Sequence, residues 1–491
     1  MGKKIIIIGG GMAGLSAGIY SQMNGFETEI VEMHNIAGGQ CTAWDRKGYR
    51  FDYCLHWLVG TIKSSFNRIW KETHVITDKT QIIDHDIFSK MVNDKGEELI
   101  IYTNIDRWEK YLLEIAPEDE SSIRKMCKHM RTASLLELNV GDGFFPKMAA
   151  LIKMAPMMPL FLKYGKKSCN EYFAELNFKN PRLSYFFNKM YGYRNFAAIA
   201  FIAMLAWFHQ KNAGYIIGGS LPLAQRMTER YLSLGGKLTF SKKVSKIVVA
   251  NNMARGVQLS DGSILNADYV ISAADGRSTL YEMLGGKYLT PQIKDAYDNW
   301  ELFTPLVQVS FGIDIKMNME FPILSVMQDE IKIGSMLVEN GYSLMVYQYD
   351  PTMAPEGKTT VVIRYESSWD NWEDLSHEAY KEEKEKIKAD ATTLLESHYP
   401  EVKGHIEVTD VATPLTDARY TGVWKGAYEG FAPSANNITK SLPNVLPGLQ
   451  NFYMAGQWLQ PGGGLPPSAA SGKKAISAIC KKEKKEFRVI E

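Results

Sequence analysis

Three glycines near the start of the chain, Gly9, Gly11 and Gly14, directly follow an apolar run and have the spacing GxGxxG. In a strand-turn-helix context the first glycine permits a tight turn and the second lets a pyrophosphate approach the backbone. The third allows the helix to pack closely on the strand. The spacing therefore predicts a dinucleotide-binding turn.

The residues around this turn extend the predicted site. Met12 and Ala13 lie between the second and third glycines, where the helix N-terminus would face the phosphates. Glu32 ends the next apolar run, and a carboxylate there accepts ribose hydroxyls and repels a 2′-phosphate. We therefore expect an adenosine diphosphate moiety here, and we disfavour NADP.

A second glycine turn follows at Gly38 and Gly39, with Gln40 directly after it. Two glycine turns near one pyrophosphate favour FAD over NAD. Only one GxGxxG fingerprint is present, so the sequence does not support a separate site for a nicotinamide dinucleotide.

Four further segments carry a resemblance to a known family. The chain resembles phytoene desaturase, carotenoid isomerase and retinol saturase relatives within the flavin amine oxidase superfamily. Residues 63–210 match far less distinctively than the two ends. The segments are GYRFDYCLHWLVG from Gly48, GYIIGGSLPLAQRMTERYLSLGGKLTF from Gly214, TPLTDARYTGVWKGAYEG from Thr413 and AGQWLQPGGGLPPSAASGK from Ala455.

The resemblance implies further contacts to FAD. Val244 would lie by the adenine through its backbone, and Gly456 by the ribityl chain. Many relatives have an aspartate after that glycine, whereas this chain has Gln457, which keeps hydrogen bonding but not the charge. The residues implied to run beneath the flavin ring into a helix are Gly463, Gly464, Leu465 and Pro466.

His56 and Trp57 lie in the family segment that the resemblance places near the flavin. His56 is the candidate catalytic residue, because an imidazole can relay a proton near neutral pH. A packed pair in the core is the alternative for both residues. No metal site is expected.

The predicted elements give an α/β fold. Strand, glycine turn, helix and strand occupy residues 4–32; short strands follow in residues 237–274; a strand, a glycine-rich turn and a helix close the chain. We expect a Rossmann-like FAD-binding domain of the glutathione reductase/amine oxidase type, formed by residues 1–62, 215–299 and 407–491. A discontinuous, mixed α+β substrate lobe would comprise residues 63–214, largely helical with sparse strand signals, and residues 300–406.

Composition excludes several classes of protein. Lysine plus arginine number 56 and aspartate plus glutamate 55, so no basic field attracts nucleic acid. The five cysteines lie far apart and form no CxxC pair, which favours a reduced, cytoplasmic setting. The basic tail Lys481 to Glu486 leaves peripheral membrane contact open, although a solvated helix end is the favoured interpretation.

Two apolar segments in the middle of the chain suggest the substrate. Met148 to Tyr164 is interrupted by lysines and prolines, and Phe196 to Phe208 reaches only about 20 Å as a helix, which is too short for a bilayer. They predict either buried core or the wall of an apolar channel.

The resulting hypothesis is an FAD-dependent oxidoreductase that desaturates, saturates or isomerises carbon-carbon bonds of a long apolar substrate such as a carotenoid, retinoid or other lipid. One alternative is a flavin amine oxidase. The other is a non-catalytic lipophile-binding protein that contains FAD. The oligomeric state is not predicted.

Overall fold

The apolar run Lys4–Ile8 is a central strand of a parallel sheet. Parallel sheets covered on both faces favour continuous runs of β-branched residues, and Ile5, Ile6, Ile7 and Ile8 are all buried. A computed structural model describes residues 2–134, 155–190 and 195–490 of the chain. In spatial order the five parallel strands are Lys237–Thr239, Glu27–Val31, Lys4–Ile8, Tyr269–Ser272 and Phe452–Met454.

This sheet draws its strands from all three stretches assigned to the FAD-binding domain. The helices of these stretches are Met12–Met23, Ser220–Ser233, Pro291–Asn299, Pro414–Thr421 and Leu465–Lys482, and the helix Ser65–Glu72, from the stretch assigned to the substrate lobe, packs against the last of them. A three-stranded antiparallel sheet adjoins it, formed by Val244–Ala250, Met253–Leu259 and Ile264–Asn266. We keep the division of the chain into two domains as a proposal.

A seven-stranded mixed sheet forms the second large layer. Its strands, in spatial order, are Ile406–Ala412, Leu306–Ile313, Thr359–Glu366, Tyr342–Val346, Ile323–Met327, Ile87–Asn93 and Glu98–Tyr102. The helix His377–His398 packs against it and is capped at its N-terminus by Ser376, whose hydroxyl accepts from the Ala379 amide. A short helical turn, Trp369–Asn371, precedes this helix.

Two strands of this sheet are absent from the sequence prediction. Ile87–Asn93 and Glu98–Tyr102 form a hairpin through a turn at Gly96, and Ile87–Asn93 pairs in parallel with Ile323–Met327. Ile87–Asn93 has polar residues at Ser89, Lys90 and Asn93, which hid its alternation, and Glu98–Tyr102 is only five residues long. The largely helical part of the substrate lobe therefore also contributes to the sheet.

Helices make up most of residues 105–209 within the described chain. Their apolar faces share one core, which contains Trp108, Phe173, Phe187 and Phe201. These helices are Ile105–Ile115, Glu120–Ala133, Met158–Tyr164, Cys169–Leu176, Pro181–Met190 and Ala198–His209.

The remaining elements are short. The short strands are Ala43–Arg46, Tyr49–Asp52, Leu58–Val59, Ile82–Ile83, Ala213–Ile216, Glu330–Ile333 and Met336–Glu339. The other helical turns are Pro117–Asp119, Ala155–Met157, Ser278–Met283, Pro400–Val402, Trp424–Gly426 and Gln457–Leu459. Among the described helices, none is both long and apolar enough to cross a membrane.

Candidate functional site

A cavity of about 1490 Å³ connects the glycine turns of the parallel sheet with the helical lobe. Typical pockets for one small ligand have roughly 300–1,000 Å³, so this cavity has room for more than one molecule. The predicted site residues that line it are Gly9, Gly11, Met12, Ala13, Glu32, Gly38, Gly39, Gln40, His56, Trp57, Val244, Gly456, Gln457, Gly464 and Leu465.

The two glycine turns lie side by side. Gly11 forms a parallel bridge with Gly38, and the Gly38 amide donates to the Gly10 carbonyl over 2.9 Å. Gly9 and Gly38 have φ angles of 92° and 126°, which favour glycine. Gly11 has an ordinary φ of −71°, and a Cβ built on it has its closest neighbours 3.9 Å away. The protein itself therefore leaves room for a side chain at Gly11, which fits a glycine required by a ligand.

Glu32 is held at the end of its strand by two backbone amides. Its carboxylate accepts from the Gly10 amide over 2.6 Å and from the His34 amide over 2.8 Å. Burial raises the pKa of Glu32, and the two amides oppose that effect. Val244, the first residue of its strand, is buried at the same end of the cavity.

Two helix N-termini open onto the cavity. Neither the helix after Gly11 nor the helix after Gly464 has a side-chain cap or an acidic residue in its first turn. The helix after Gly11 has free N–H groups in its first turn, whereas Pro466 and Pro467 lack an N–H and leave the Leu465 amide and the helix dipole at the other N-terminus. Both termini favour negative charge, as a pyrophosphate or a reduced flavin would supply. The helices pack against each other, and Ser16 Oγ donates to the Ala469 carbonyl over 2.7 Å. The first and last segments of the chain thus form one wall.

Gly456 and Gln457 connect the last strand to this wall. Gly456 has a φ of 112°, and its amide donates to Ser471 Oγ over 2.7 Å. Gln457 Nε2 lies 3.4 Å from the Ala427 carbonyl, so its side chain is turned partly toward the protein.

Three predicted site residues do not line the cavity. A Cβ on Gly14 would lie 1.9 Å from the Gly9 carbonyl oxygen, so Gly14 serves close packing of the helix on the turn. A Cβ on Gly463 would lie 2.4 Å from Gln457 Cβ. Pro466 is in the first turn of the last helix. Their contact with a cofactor stays a proposal.

His56 lies beside a buried arginine. Arg364 Nη1 contacts His56 Nε2, and the same guanidinium donates to Gln308 Oε1 and to backbone carbonyls of residues 52 and 53. Burial and the charge of Arg364 hold the pKa of His56 well below its ordinary value. The imidazole is therefore neutral, with Nε2 as the acceptor, so it cannot take a proton there while Arg364 stays in place. The role of His56 stays a proposal.

The end of the cavity in the helical lobe is apolar. One face of the helix Ala198–His209 supplies Ala200, Met204 and Trp207, at helical spacing. Trp57 lines the same cavity and packs on Phe208 with ring centroids 5.5 Å apart. Other apolar lining residues at this end are Met190, Phe196, Phe303, Leu306 and Pro433.

The second apolar segment has a different place. Residues 148–154 of the predicted segment Met148 to Tyr164 lie outside the described residues. In the described part, Leu160 and Tyr164 are buried in the helical core, whereas Phe161 and Leu162 are exposed. No residue of this described part lines the cavity.

Ionisable residues that the sequence analysis did not single out also line the cavity. Asp417 accepts from the Tyr53 hydroxyl, and burial raises its pKa to about 7. Burial raises the pKa of Glu429 to about 7 as well. Asp417 and Glu429 stand in the quoted segment TPLTDARYTGVWKGAYEG, and Arg364 is the one charge in the apolar run TTVVIRY. A lone charge in a buried strand is the signal that could have identified Arg364.

The residues present fit FAD. Gln40 lines the cavity, and its Nε2 is buried with no hydrogen-bond partner among the described residues. Such an orphaned donor is costly unless a ligand accepts from it. The room at Gly11 and the two open helix N-termini suit the same ligand.

Comparisons with known proteins agree on the family. The profile of the family "flavin containing amine oxidoreductase" matches residues 12–480. The chain is similar to a prolycopene isomerase from an Oncidium hybrid cultivar, at 24% identity over 95% of this chain and 82% of that protein. It is also similar to a lycopene-forming phytoene desaturase from a Paracoccus species, at 24% identity over 96% of each chain.

The solved structure of cyclohexylamine oxidase from Brevibacterium oxydans shares the fold. It has a TM-score of 0.63 and 13% identity, over 99% of this chain and 100% of that one. The predicted α/β fold of the amine oxidase type, the resemblance to carotenoid desaturases and isomerases, and FAD as the cofactor are thereby confirmed. The chain belongs to the family of flavin-containing amine oxidoreductases.

Proposed function

We propose that this flavoprotein acts on carbon-carbon bonds of a long apolar substrate, by desaturation, saturation or isomerisation. A carotenoid, a retinoid or another lipid is the expected substrate class. The observation that carries the proposal is the continuity of one cavity from the glycine turns to the apolar face of the helix Ala198–His209.

The lining of the far end supports an apolar ligand. A polar metabolite would need several convergent polar groups to replace its lost hydration. The helix instead offers Ala200, Met204 and Trp207, with Trp57 beside them. The relatives named prolycopene isomerase and phytoene desaturase support a polyene.

The protein's own contribution would be to bind, to orient and to exclude water. FAD, when bound, supplies hydride acceptance or donation. The apolar face would hold the chain of the substrate in one orientation and keep water from the reacting carbons. Arg364 would keep His56 neutral and fixed at the side of the cavity, through the contact to Nε2.

The test uses the purified holoprotein with defined probes. Phytoene and prolycopene, each supplied in detergent micelles, are incubated with it, and the products are separated by chromatography. We expect one of these polyenes to change its absorption spectrum, with FAD still bound.

Two further assays distinguish the proposed function from the amine oxidase and from the non-catalytic lipophile-binding protein. Putrescine and cyclohexylamine are tested for peroxide release, and peroxide from either amine with both polyenes unchanged would establish a flavin amine oxidase instead. Extraction of an apolar compound from protein whose flavin absorbance responds to no polyene, amine or reductant would favour the non-catalytic lipophile-binding protein.

A further inference from the structure

We propose that the Glu429 carboxyl is the group that exchanges a proton with the reacting carbon of the substrate. The inference rests on the proposed function and names the acid or base that the function requires. His56, the residue expected from the sequence, has its Nε2 occupied by Arg364.

The first support is the position of Glu429. Glu429 lines the cavity, and its Oε1 lies 3.6 Å from the place that a Cβ on Gly464 would occupy. Gly464 begins the last helix, where the resemblance places the flavin ring. A carboxyl there would lie beside the flavin, in the same cavity that the apolar face of the helix Ala198–His209 lines.

The second support is the lack of a competing partner. Six carboxyl side chains of the described residues line the cavity, and five of them have hydrogen bonds to protein groups. Those five are Glu32, Asp275, Glu282, Asp410 and Asp417. For the Glu429 carboxyl, no hydrogen bond is found within residues 2–134, 155–190 and 195–490. It is therefore free to face a ligand.

The third support is the charge around this carboxyl. Burial raises the pKa of Glu429 to about 7, so acid and base forms are both populated near neutral pH. The neighbouring titratable groups are Cys54 and Tyr428, both of which have a pKa raised by burial, so both are neutral there. On the facing walls, Asp417 is bound to Tyr53 and Arg364 to neutral acceptors.

In desaturation, two adjacent carbons of the substrate each lose one hydrogen. One substrate carbon loses a proton to the Glu429 carboxylate, so a C–H bond breaks and an O–H bond forms. The adjacent carbon loses a hydride to oxidised FAD, and the electron pair left on the first carbon becomes the second bond of the new double bond. Glu429 then passes its proton to water. In saturation the same bonds re-form in reverse, and protonated Glu429 is the acid.

The experiment compares wild-type protein with Glu429→Gln, which keeps the shape of the side chain but cannot exchange this proton. Glu366→Gln is the matched control, because burial also raises the pKa of Glu366, to about 8, but Glu366 does not line the cavity. FAD occupancy is measured from absorbance, and conversion of phytoene and prolycopene is followed across pH 5.5–9.

We expect Glu429→Gln to keep its FAD and to lose about 100-fold or more in turnover, the usual size of an acid-base contribution. The wild-type rate should also show a break near pH 7 that Glu429→Gln lacks and Glu366→Gln retains. In infrared spectra of the FAD-loaded proteins without substrate, the difference between wild type and Glu429→Gln should show a protonated-carboxyl band that titrates near pH 7; taking this difference removes the contribution of Asp417, whose pKa is also raised to about 7.

The outcomes separate the two proposals. Wild-type protein that leaves both polyenes unchanged contradicts the proposed function, and the role of Glu429 falls with it. Wild-type protein that converts a polyene contradicts Glu429 alone if Glu429→Gln is equally active, or if the infrared band does not titrate between pH 6 and 8.

Discussion

Buried carboxyls make the stability of this protein depend on pH in a definite direction. Burial raises the pKa of Glu366 to about 8, from an ordinary value of 4.5. Between those values the folded protein keeps a proton that the unfolded chain releases. The free energy of unfolding therefore falls as the pH rises through this range, and the loss is complete above about pH 8.

Glu366→Gln should remove this loss. The variant should match the wild type near pH 4.5 and be more stable by up to about 5 kcal/mol at pH 9, since one pKa unit corresponds to about 1.4 kcal/mol. Denaturant unfolding at several pH values measures the difference. A constant difference across pH would show that Glu366 is ionised in the folded protein.

Gly11→Val tests whether FAD binding requires a glycine at this position of the turn. A Cβ at Gly11 meets nothing closer than 3.9 Å in the protein, and the φ of −71° suits valine, so the fold should be kept. The side chain would instead occupy the pyrophosphate's approach, and FAD occupancy should fall below about a tenth of the wild-type value. Absorbance of the purified variant and FAD release on denaturation measure this occupancy.

Gly96→Val is the control for that substitution. Gly96 stands in an exposed turn with a φ of 74°, so valine should lower stability there by about 1 kcal/mol without reducing FAD occupancy. Normal FAD content in Gly11→Val would show that no ligand requires this glycine.

At the scale of single residues, the sequence predicts contacts between residues that belong to the same local unit of the chain. Gly9, Gly11 and Glu32 belong to one strand-turn-helix-strand unit, so their spacing predicts that they come together. Arg364 meets His56 only after strands far apart in the chain have assembled, and no local pattern shows that contact. Glu429 was inside a quoted segment, but only the cavity distinguishes it from a surface carboxyl.

The helix Ala198–His209 has two distinct apolar faces. Residues such as Phe201, Ile202 and Leu205 are buried in the helical core, whereas Ala200, Met204 and Trp207 line the cavity. The even mixture of apolar residues around the helix left both buried core and channel wall open as predictions, and it could not show which side borders a cavity.

Ala200→Gln places a polar amide in the apolar end of the cavity. We expect turnover of the polyene to fall by about 5- to 150-fold, because the amide must be desolvated against an apolar substrate, at a cost of about 1–3 kcal/mol. FAD occupancy should not change. The KM and kcat for the polyene that the wild type converts provide the measurement.

Ala203→Gln is the matched control, since it makes the same change on the same helix at a position that does not line the cavity. Equal effects of the two variants would mean that the helix was disturbed as a whole, and would count against the apolar end as the substrate site.

Sequence patterns identified the elements of the nucleotide-binding unit better than those of the substrate lobe. Lys4–Ile8 is a strand directly before the glycine turn, as predicted, because a strand buried on both faces has an unbroken apolar sequence. The strand Ile87–Asn93 was not predicted. It pairs with Ile323–Met327 and Glu98–Tyr102, but several of its residues are only half-buried in the sheet. Polar side chains are tolerated at such positions, so the strand lacks a clear apolar pattern.

The two ends of the chain meet across the whole molecule. Strands from residues 4–31, 237–272 and 452–454 share one sheet, so the cofactor site is complete only when the last segment has returned to the first. The helices Met12–Met23 and Leu465–Lys482 pack directly, with Gly472 at their closest approach. Local patterns cannot show that the first and last segments of the chain come together. Here that prediction came from the resemblance of both ends to one family.

Gly472→Val should disturb stability and FAD binding together. A Cβ on Gly472 would lie 2.4 Å from the Ala13 carbonyl oxygen and 2.8 Å from the Ala17 amide nitrogen, both backbone atoms that cannot rotate away. The helices must therefore separate, at a cost of about 3 kcal/mol or more. Because Gly11 and Gly464 stand at the N-termini of these two helices, the cavity between them would change shape as well.

Thermal unfolding with and without added FAD measures both effects. Excess FAD should raise the midpoint of Gly472→Val, since a ligand that binds only the folded state stabilises it by mass action, by about 2.7 kcal/mol at 100 times its Kd. Gly11→Val should show no such rise, because its site is blocked while its helices stay packed. Ser477→Val, at an exposed position of the same helix, should resemble the wild type. A Gly472→Val protein that unfolds with the wild type and keeps its FAD would show that the two ends bind the cofactor without depending on their contact.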